Sequence, residues 1–145
     1  RHILKNKKIN LKRNKFLKKE LIKPTKIYVT EILNLINKNL INGCSNITGG
    51  GIKDNLERIL PSYLSANINL NNIKPSSIFK WIYDQGITEK EMIKTFNCGV
   101  GFCIIVKPKN LKKVKKYFSK NFQPYFIGKI TNGEKNVDLN GKIKW

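Results

Sequence analysis

The chain has 145 residues, with 29 Lys and Arg against 9 Asp and Glu, for a formal net charge of +20. That length suits one domain with a real core, no apolar run is long enough to span a bilayer, and no signal-peptide pattern opens the sequence. The single histidine, His2, excludes a Ser-His-Asp or Cys-His constellation within this chain, and Cys44, Cys98 and Cys103 lack the spacing of a zinc site.

Residues 1–23 are lysine-rich with scattered apolar positions, and Ile3, Leu4 and Ile9 read as the tail of a helix begun upstream. Pro24-Thr25 punctuates the chain. Val29, Ile32, Leu33 and Ile36 then recur at helical spacing, which predicts an amphipathic helix as far as Lys38, ended by Asn42-Gly43. Residues 44–48 read as a short strand entering a triple-glycine turn, and residues 52–59 as a short helix stopped by Pro61. Ala66, Ile68 and Leu70 alternate with polar residues, the period of a half-buried strand over 65–70. Ser76 and Ser77 can cap a helix carrying Ile78, Phe79, Ile82 and Tyr83, which Gly86 closes. Thr88 and Glu91 form a capping box for a helix through Lys94. The strongly apolar run 98–107 is expected to be a central strand, and Pro108 to open a helix with Leu111, Val114, Tyr117 and Phe118 on one face. Strands at 125–130 and 137–139, joined by a turn at Asn132-Gly133, complete the chain. Strands and helices interleave without a regular βαβ rhythm, which points to an α+β fold of helices on a mixed sheet.

The charge invites a nucleic-acid reading, but its composition argues otherwise. Lysine outnumbers arginine 26 to 3, beside 21 isoleucines and 19 asparagines, and all three favoured residues have A/T-rich codons. Arginine is the side chain suited to bidentate phosphate and base contacts, and no row of aromatics alternates with the basic residues here. The charge reads as a solvated basic face, with a basic nucleic-acid-binding module as the alternative. The three cysteines, odd in number and without a signal pattern, read as small, partly buried hydrophobes in a reducing, cytoplasmic setting.

Two glycine-bearing loops carry the functional signal. In the first, Thr48-Gly49-Gly50-Gly51 follows a short apolar run and opens onto a helix. No Cβ blocks the approach of an anion to such a turn, and the helix start adds unpaired N–H donors. Asn55 and Arg58, one helical step apart, can sit beside it. Asp54 can support the helix dipole or hold a metal through water, and Arg58 can pair with a carboxylate or touch a ligand. The pattern is neither a Walker A loop nor a Rossmann fingerprint. In the second loop, Asn97 offers a donor and an acceptor, and Gly99 and Gly101 permit close approach, either of a ligand or of another backbone.

The pattern I-T-G-G-G-x-x-x-N-x-x-R-x-L-P from Ile47 to Pro61, followed by E-M-x-K-T-F-N-C-G-V-G from Glu91 to Gly101, resembles the aminoimidazole ribonucleotide synthetase family, the phosphoribosylformylglycinamidine cyclo-ligases. Pro24-Thr25-Lys26-Ile27-Tyr28-Val29 resembles the family's P-T-R-I-Y-V segment, and Ile127-Gly128-Lys129-Ile130 its late I-G-x-V strand. The resemblance covers residues 21–139. It implies that 1–145 is a single C-terminal domain, with 1–20 a basic lead-in, and that Arg1 falls just after an S-G-L-H-S-N-G-Y segment of an N-terminal domain absent from this sequence. Asn46 stands where most relatives have histidine, and Lys94 where they have arginine, which removes a proton shuttle and a bidentate fork respectively.

By that resemblance the fold is the three-layer-like, partly ferredoxin-like C-terminal domain of the superfamily. The implied activity is ATP-dependent cyclisation of formylglycinamidine ribonucleotide to aminoimidazole ribonucleotide in purine biosynthesis, in the cytoplasm. ATP and Mg2+ are the implied cofactors, held mainly by the N-terminal domain, through which a homodimer is also expected. Thr48, Gly49, Gly50, Gly51 and Asn55 are expected to bind the phosphate or amide end of the substrate, with Asn97 and Gly99 on the opposite wall of an interdomain cleft. No catalytic residue and no metal ligand is assigned within the chain.

Overall fold

The computed structural model describes residues 2–145; Arg1, where the family resemblance places the domain junction, lies outside the described residues. Seven helices are described: α1 (His2–Asn6), α2 (Lys15–Leu21), α3 (Val29–Asn37), α4 (Gly51–Glu57), α5 (Ser77–Tyr83), α6 (Glu89–Thr95) and α7 (Leu111–Lys115). The strands are β1 (Gly43–Asn46), β2 (Leu64–Asn69), β3 (Phe102–Ile105), β4 (Gly128–Asn132) and β5 (Val137–Asn140). None of these helices is long and apolar enough to cross a membrane.

The strands form two sheets. β1 and β3 make an antiparallel ribbon, with Gly43 opposite Ile105 at one end and Asn46 opposite Phe102 at the other. β2 lies between β4, antiparallel with Ala66 opposite Ile130, and β5, parallel with Ala66 opposite Val137. The mixed sheet expected from the sequence is this three-stranded one. Asn132-Gly133 does not close a hairpin. The connection crosses the start of β2, where Gly133 N–H donates to Tyr63 O at 3.1 Å and Ala66 N–H to Asn136 O at 2.8 Å.

The period of two along β3 divides the core. Cys103 and Ile105 face the main cluster, built on Ile47, Ile52, Leu56, Ala66, Ile68, Met92 and Val137. Phe102 and Ile104 face a second cluster around Ile32, Leu35 and Val114. The ribbon is thus covered by α3 and α7 on one face, while α4 packs between it and the three-stranded sheet, with α6 against α4. On the far side of that sheet Asn140 Nδ2 donates to Asn67 Oδ1 at 2.6 Å, the polar face of an alternating strand.

Several expectations need correction. The apolar run 98–107 is not one strand, because Cys98 (φ 49°) and Gly99 (φ 96°) are both left-handed and cannot lie in a ladder. Only Phe102–Ile105 pairs, and it belongs to the ribbon instead of the centre of the mixed sheet. The helix expected from Pro108 is a 3-10 turn, Pro108–Asn110, followed by one short α-helix. The strand expected over 125–130 pairs from Gly128 to Asn132. Within the basic lead-in, α2 is an unforeseen helix: Asn14 Oδ1 accepts the Leu17 N–H at 2.9 Å, and Leu17 is fully buried. In α3 the buried residues are Ile32 and Leu35, while Val29, Leu33 and Ile36 are exposed.

Candidate functional site

The end of the ribbon at Asn46 and Phe102 is where both glycine loops emerge. Past the last paired residues, Ile47 N–H donates to Gly101 O at 3.0 Å, and Asn97 Nδ2 donates to Ile47 O at 3.4 Å. The two loops are therefore joined side by side through Ile47. They form one continuous surface, where the sequence suggested opposed walls.

In the first loop, Gly51 N–H donates to Thr48 O at 3.2 Å, closing a tight turn whose Gly50 has φ 90°. Asn55, one turn into α4, is only 4% exposed and is spent holding that turn. Its Nδ2 donates to Gly49 O at 3.1 Å and to Gly51 O at 2.7 Å, and its Oδ1 accepts from Thr48 Oγ1 at 3.3 Å. Ser45 Oγ in turn donates to Asn55 O at 2.8 Å, pinning α4 to β1. Asn55 thus fixes the loop from behind. A buried amide already in three hydrogen bonds has little left to offer a ligand directly, so the side chain of Asn55 serves the turn by bracing it. Thr48 and Gly49 are exposed, and the N–H groups of Thr48, Gly49 and Gly50 take no partner within the described residues.

Charge at the turn is mixed. The Asp54 carboxylate lies against Gly50, so close that a Cβ there would sit 2.6 Å from Asp54 Oδ2. Arg58 is exposed and joins no ion pair; among the described residues the ion pairs are Lys23–Glu20 and Lys80–Asp84. The carboxylate pairing expected for Arg58 is not formed. No three His, Cys, Asp or Glu side chains gather to hold a metal among the described residues.

In the second loop, Asn97 Oδ1 accepts the Gly99 N–H at 3.1 Å and Asn97 O accepts the Val100 N–H at 2.8 Å. Both glycines are required by packing. A Cβ on Gly99 would lie 2.8 Å from Lys74 O, and one on Gly101 would overlap the Tyr28 hydroxyl. Three residues that the sequence does not assign to the site, Tyr28, Lys74 and Tyr125, therefore frame this loop. Tyr28 covers Gly101 and stacks obliquely on Phe102 at 5.2 Å, and burial raises its phenol pKa. Tyr125 accepts the Lys74 N–H at 3.4 Å and carries the Lys74 ammonium 5.1 Å from its ring centre. Tyr28 falls within a quoted motif, yet nothing local shows that its partner is Gly101.

Cys98 donates toward Met92 O and Phe96 O, and burial with the Glu89 charge pushes its thiol up to about 12. Burial alone takes Cys103 to about 12. Both are inert, protonated thiols near neutral pH, and neither is a nucleophile. Asn46 and Lys94 are exposed near the two loops, at the end of β1 and in the last turn of α6.

Comparison with known proteins matches residues 1–139 to the family described as AIR synthase related protein, C-terminal domain. A phosphoribosylformylglycinamidine cyclo-ligase of Carboxydothermus hydrogenoformans is 44% identical over 128 residues, covering 87% of this chain and 37% of that protein. One of Lactobacillus helveticus is 38% identical over 129 residues, covering 86% of this chain and 37% of its own length. A bifunctional purine biosynthetic protein purD of Dictyostelium discoideum is 37% identical over 132 residues, or 90% of this chain and 16% of that longer protein. The chain thus spans about 37% of the first two relatives, and the match extends through both glycine loops. The chain belongs to the AIR synthase related family, and it is the C-terminal domain of that family that it matches.

Proposed function

We propose that this domain supplies one face of the substrate cleft in an ATP-dependent ring-closing ligase of purine biosynthesis, converting formylglycinamidine ribonucleotide to aminoimidazole ribonucleotide. The observation that carries the reading is the exposed turn Thr48–Gly50, with N–H groups free and a buried asparagine bracing it from behind. The names of the relatives support the reaction class. Preorganised N–H donors of this kind favour an oxygen on which negative charge grows, at no cost of reorganisation during reaction. Because Asp54 lies against the same turn, the arrangement suits the amide end of the substrate: the loop N–H groups receive its oxygen while the carboxylate receives an N–H. The second loop, fastened through Ile47 and Asn97, extends the surface, and Asn97 Nδ2 keeps one N–H beyond its bond to Ile47 O.

ATP supplies the phosphoryl group that turns the amide oxygen into a leaving group. The chain brings one carboxylate to the turn and no cluster of metal ligands among the described residues, so magnesium and most of the nucleotide contacts are assigned to the companion N-terminal domain. Dimerisation through that domain and a cytoplasmic location complete the proposal. What this domain contributes is positioning, which is most of what a phosphoryl-activated ring closure asks of its protein.

Gly49→Val tests it. Gly49 has nothing within 4 Å of an added Cβ, so the side chain can block the turn without disturbing the fold. The domain is joined to the N-terminal portion of the Carboxydothermus relative and assayed for ATP-dependent formation of aminoimidazole ribonucleotide. The KM for formylglycinamidine ribonucleotide should rise about tenfold or more while thermal stability stays unchanged; unaltered kinetics would falsify the role of the turn. The nucleic-acid-binding alternative finds no support in the comparisons.

A further inference from the structure

We infer that the opposite end of the ribbon holds a second anion site, a lysine basin that takes small, multiply phosphorylated anions. A concavity of about 430 Å³ opens there, lined by Lys38 and Asn39 at the end of α3 and by Lys107, Lys109, Asn110 and Lys113 around the start of α7. It adjoins the Gly43–Ile105 end of the ribbon, whereas the glycine loops leave the Asn46–Phe102 end. The two sites therefore do not share residues, and the basin does not rest on the ring-closing reading.

The backbone builds the concavity. Asn39, at φ 52°, turns the chain out of α3, and its N–H donates to Ile36 O at 2.9 Å. Asn110 Nδ2 then reaches across to Leu40 O at 3.4 Å, clasping one wall to the other. The volume falls within the ~300–1,000 Å³ typical of small-ligand sites.

The charge is uncompensated. No Asp or Glu occurs between Glu31 and Asp54, nor between Glu91 and Glu134, so both walls come from acid-free stretches. None of the four lysines joins an ion pair among the described residues. Base bias explains many lysines but not this gap, because the codons for Asp and Glu include A/T-rich ones as well. Four lysines lining one concavity focus a positive field into it. Their mutual repulsion is relieved by an anion of high charge density. Lysine is a mobile point charge without a planar fork, so the basin should rank anions by charge more than by shape.

Calorimetric titration of the 145-residue chain at about 150 mM KCl, where screening removes distant contributions, tests this with inorganic tripolyphosphate, pyrophosphate and orthophosphate. Saturable binding of one tripolyphosphate is expected, with pyrophosphate weaker and orthophosphate weakest. Joint replacement K38Q/K107Q/K109Q/K113Q should weaken tripolyphosphate binding about tenfold or more. The equally charged change K5Q/K7Q/K12Q/K15Q, at exposed lysines elsewhere, should weaken it by less than about threefold. Lys109→Gln and Lys113→Gln singly, with the fold checked by circular dichroism, should each give an intermediate loss. Equal losses in the two quadruple variants, or no saturation by tripolyphosphate, would overturn the basin. So would a short oligouridylate that binds more tightly than tripolyphosphate and displaces it, since the surface would then be a nucleic-acid site.

Discussion

A methyl group on Gly51 would overlap the carbonyl oxygen of Ile93, at a backbone held at φ 62°. Gly50, at φ 90°, is left-handed as well, with Asp54 against it, while an added Cβ on Gly49 meets nothing within 4 Å. Three identical letters thus cover three different physical demands. Gly51→Ala should cost about 3 kcal/mol or more, because neither the strain nor the backbone overlap can relax cheaply. Gly49→Ala should stay within about 0.5 kcal/mol. Urea midpoints of the two variants check this, and similar midpoints would refute the distinction. The sequence shows that a glycine turn precedes a helix because those signals are local. It does not show which glycine is fixed by packing, since Ile93 reaches Gly51 only through the tertiary contact of α4 with α6. Asn55 is similar: its helical spacing from the loop is legible, but its use as a brace depends on being buried.

At the scale of the element, α6 shows where local signals stop. The Thr88 cap is read directly from Thr-x-x-Glu, and Thr88 Oγ1 does accept the Glu91 N–H at 3.3 Å. Glu91 does not complete the box; its Oε1 accepts from Thr95 Oγ1 at 3.0 Å. Glu89 in the first turn accepts the Ile143 N–H at 2.7 Å and so ties down the chain end. There Ile143 is buried and Trp145 stacks on Tyr83 at 4.7 Å with the rings 10° from parallel. Replacing Glu89 by Ala should cost about 1–2 kcal/mol. In a Trp81→Phe background it should also shift the Trp145 emission to the red as the indole leaves its stack. An unshifted spectrum would show that the tail docks without Glu89. No pattern near Glu89 could announce a partner 54 residues away.

For the whole molecule, a net charge of +20 is set against two ion pairs among the described residues, both formed within one helical turn. Of these only Lys80–Asp84 is exposed on both sides, and a surface pair contributes little, so self-repulsion is a general cost of this fold. Raising KCl from about 20 to about 300 mM shortens the screening length from roughly 20 to roughly 6 Å. The melting temperature should rise by about 5 °C, and a flat or falling response would mean that the charge is already neutralised locally. The α+β class and most elements are legible from periodicity. The topology is less so: Asn132-Gly133 carries the letters of a hairpin, yet β4 and β5 flank β2, because that strand offers both its edges. Likewise the apolar run 98–107 reads as a strand, but its first half is bent by Cys98 and Gly99, and Gly101 is packed against the half-buried Tyr28 hydroxyl.

The fastening at Ile47 has a dynamic consequence. This residue is 1% exposed, gives its N–H to one glycine loop, receives the Asn97 amide on its carbonyl, and begins the other loop itself. A fluctuation that frees either loop must break bonds belonging to both, so the pair shares a single opening free energy. Slow amide exchange at Ile47 and Val100 would rise and fall together, and whatever quiets one loop quiets its neighbour.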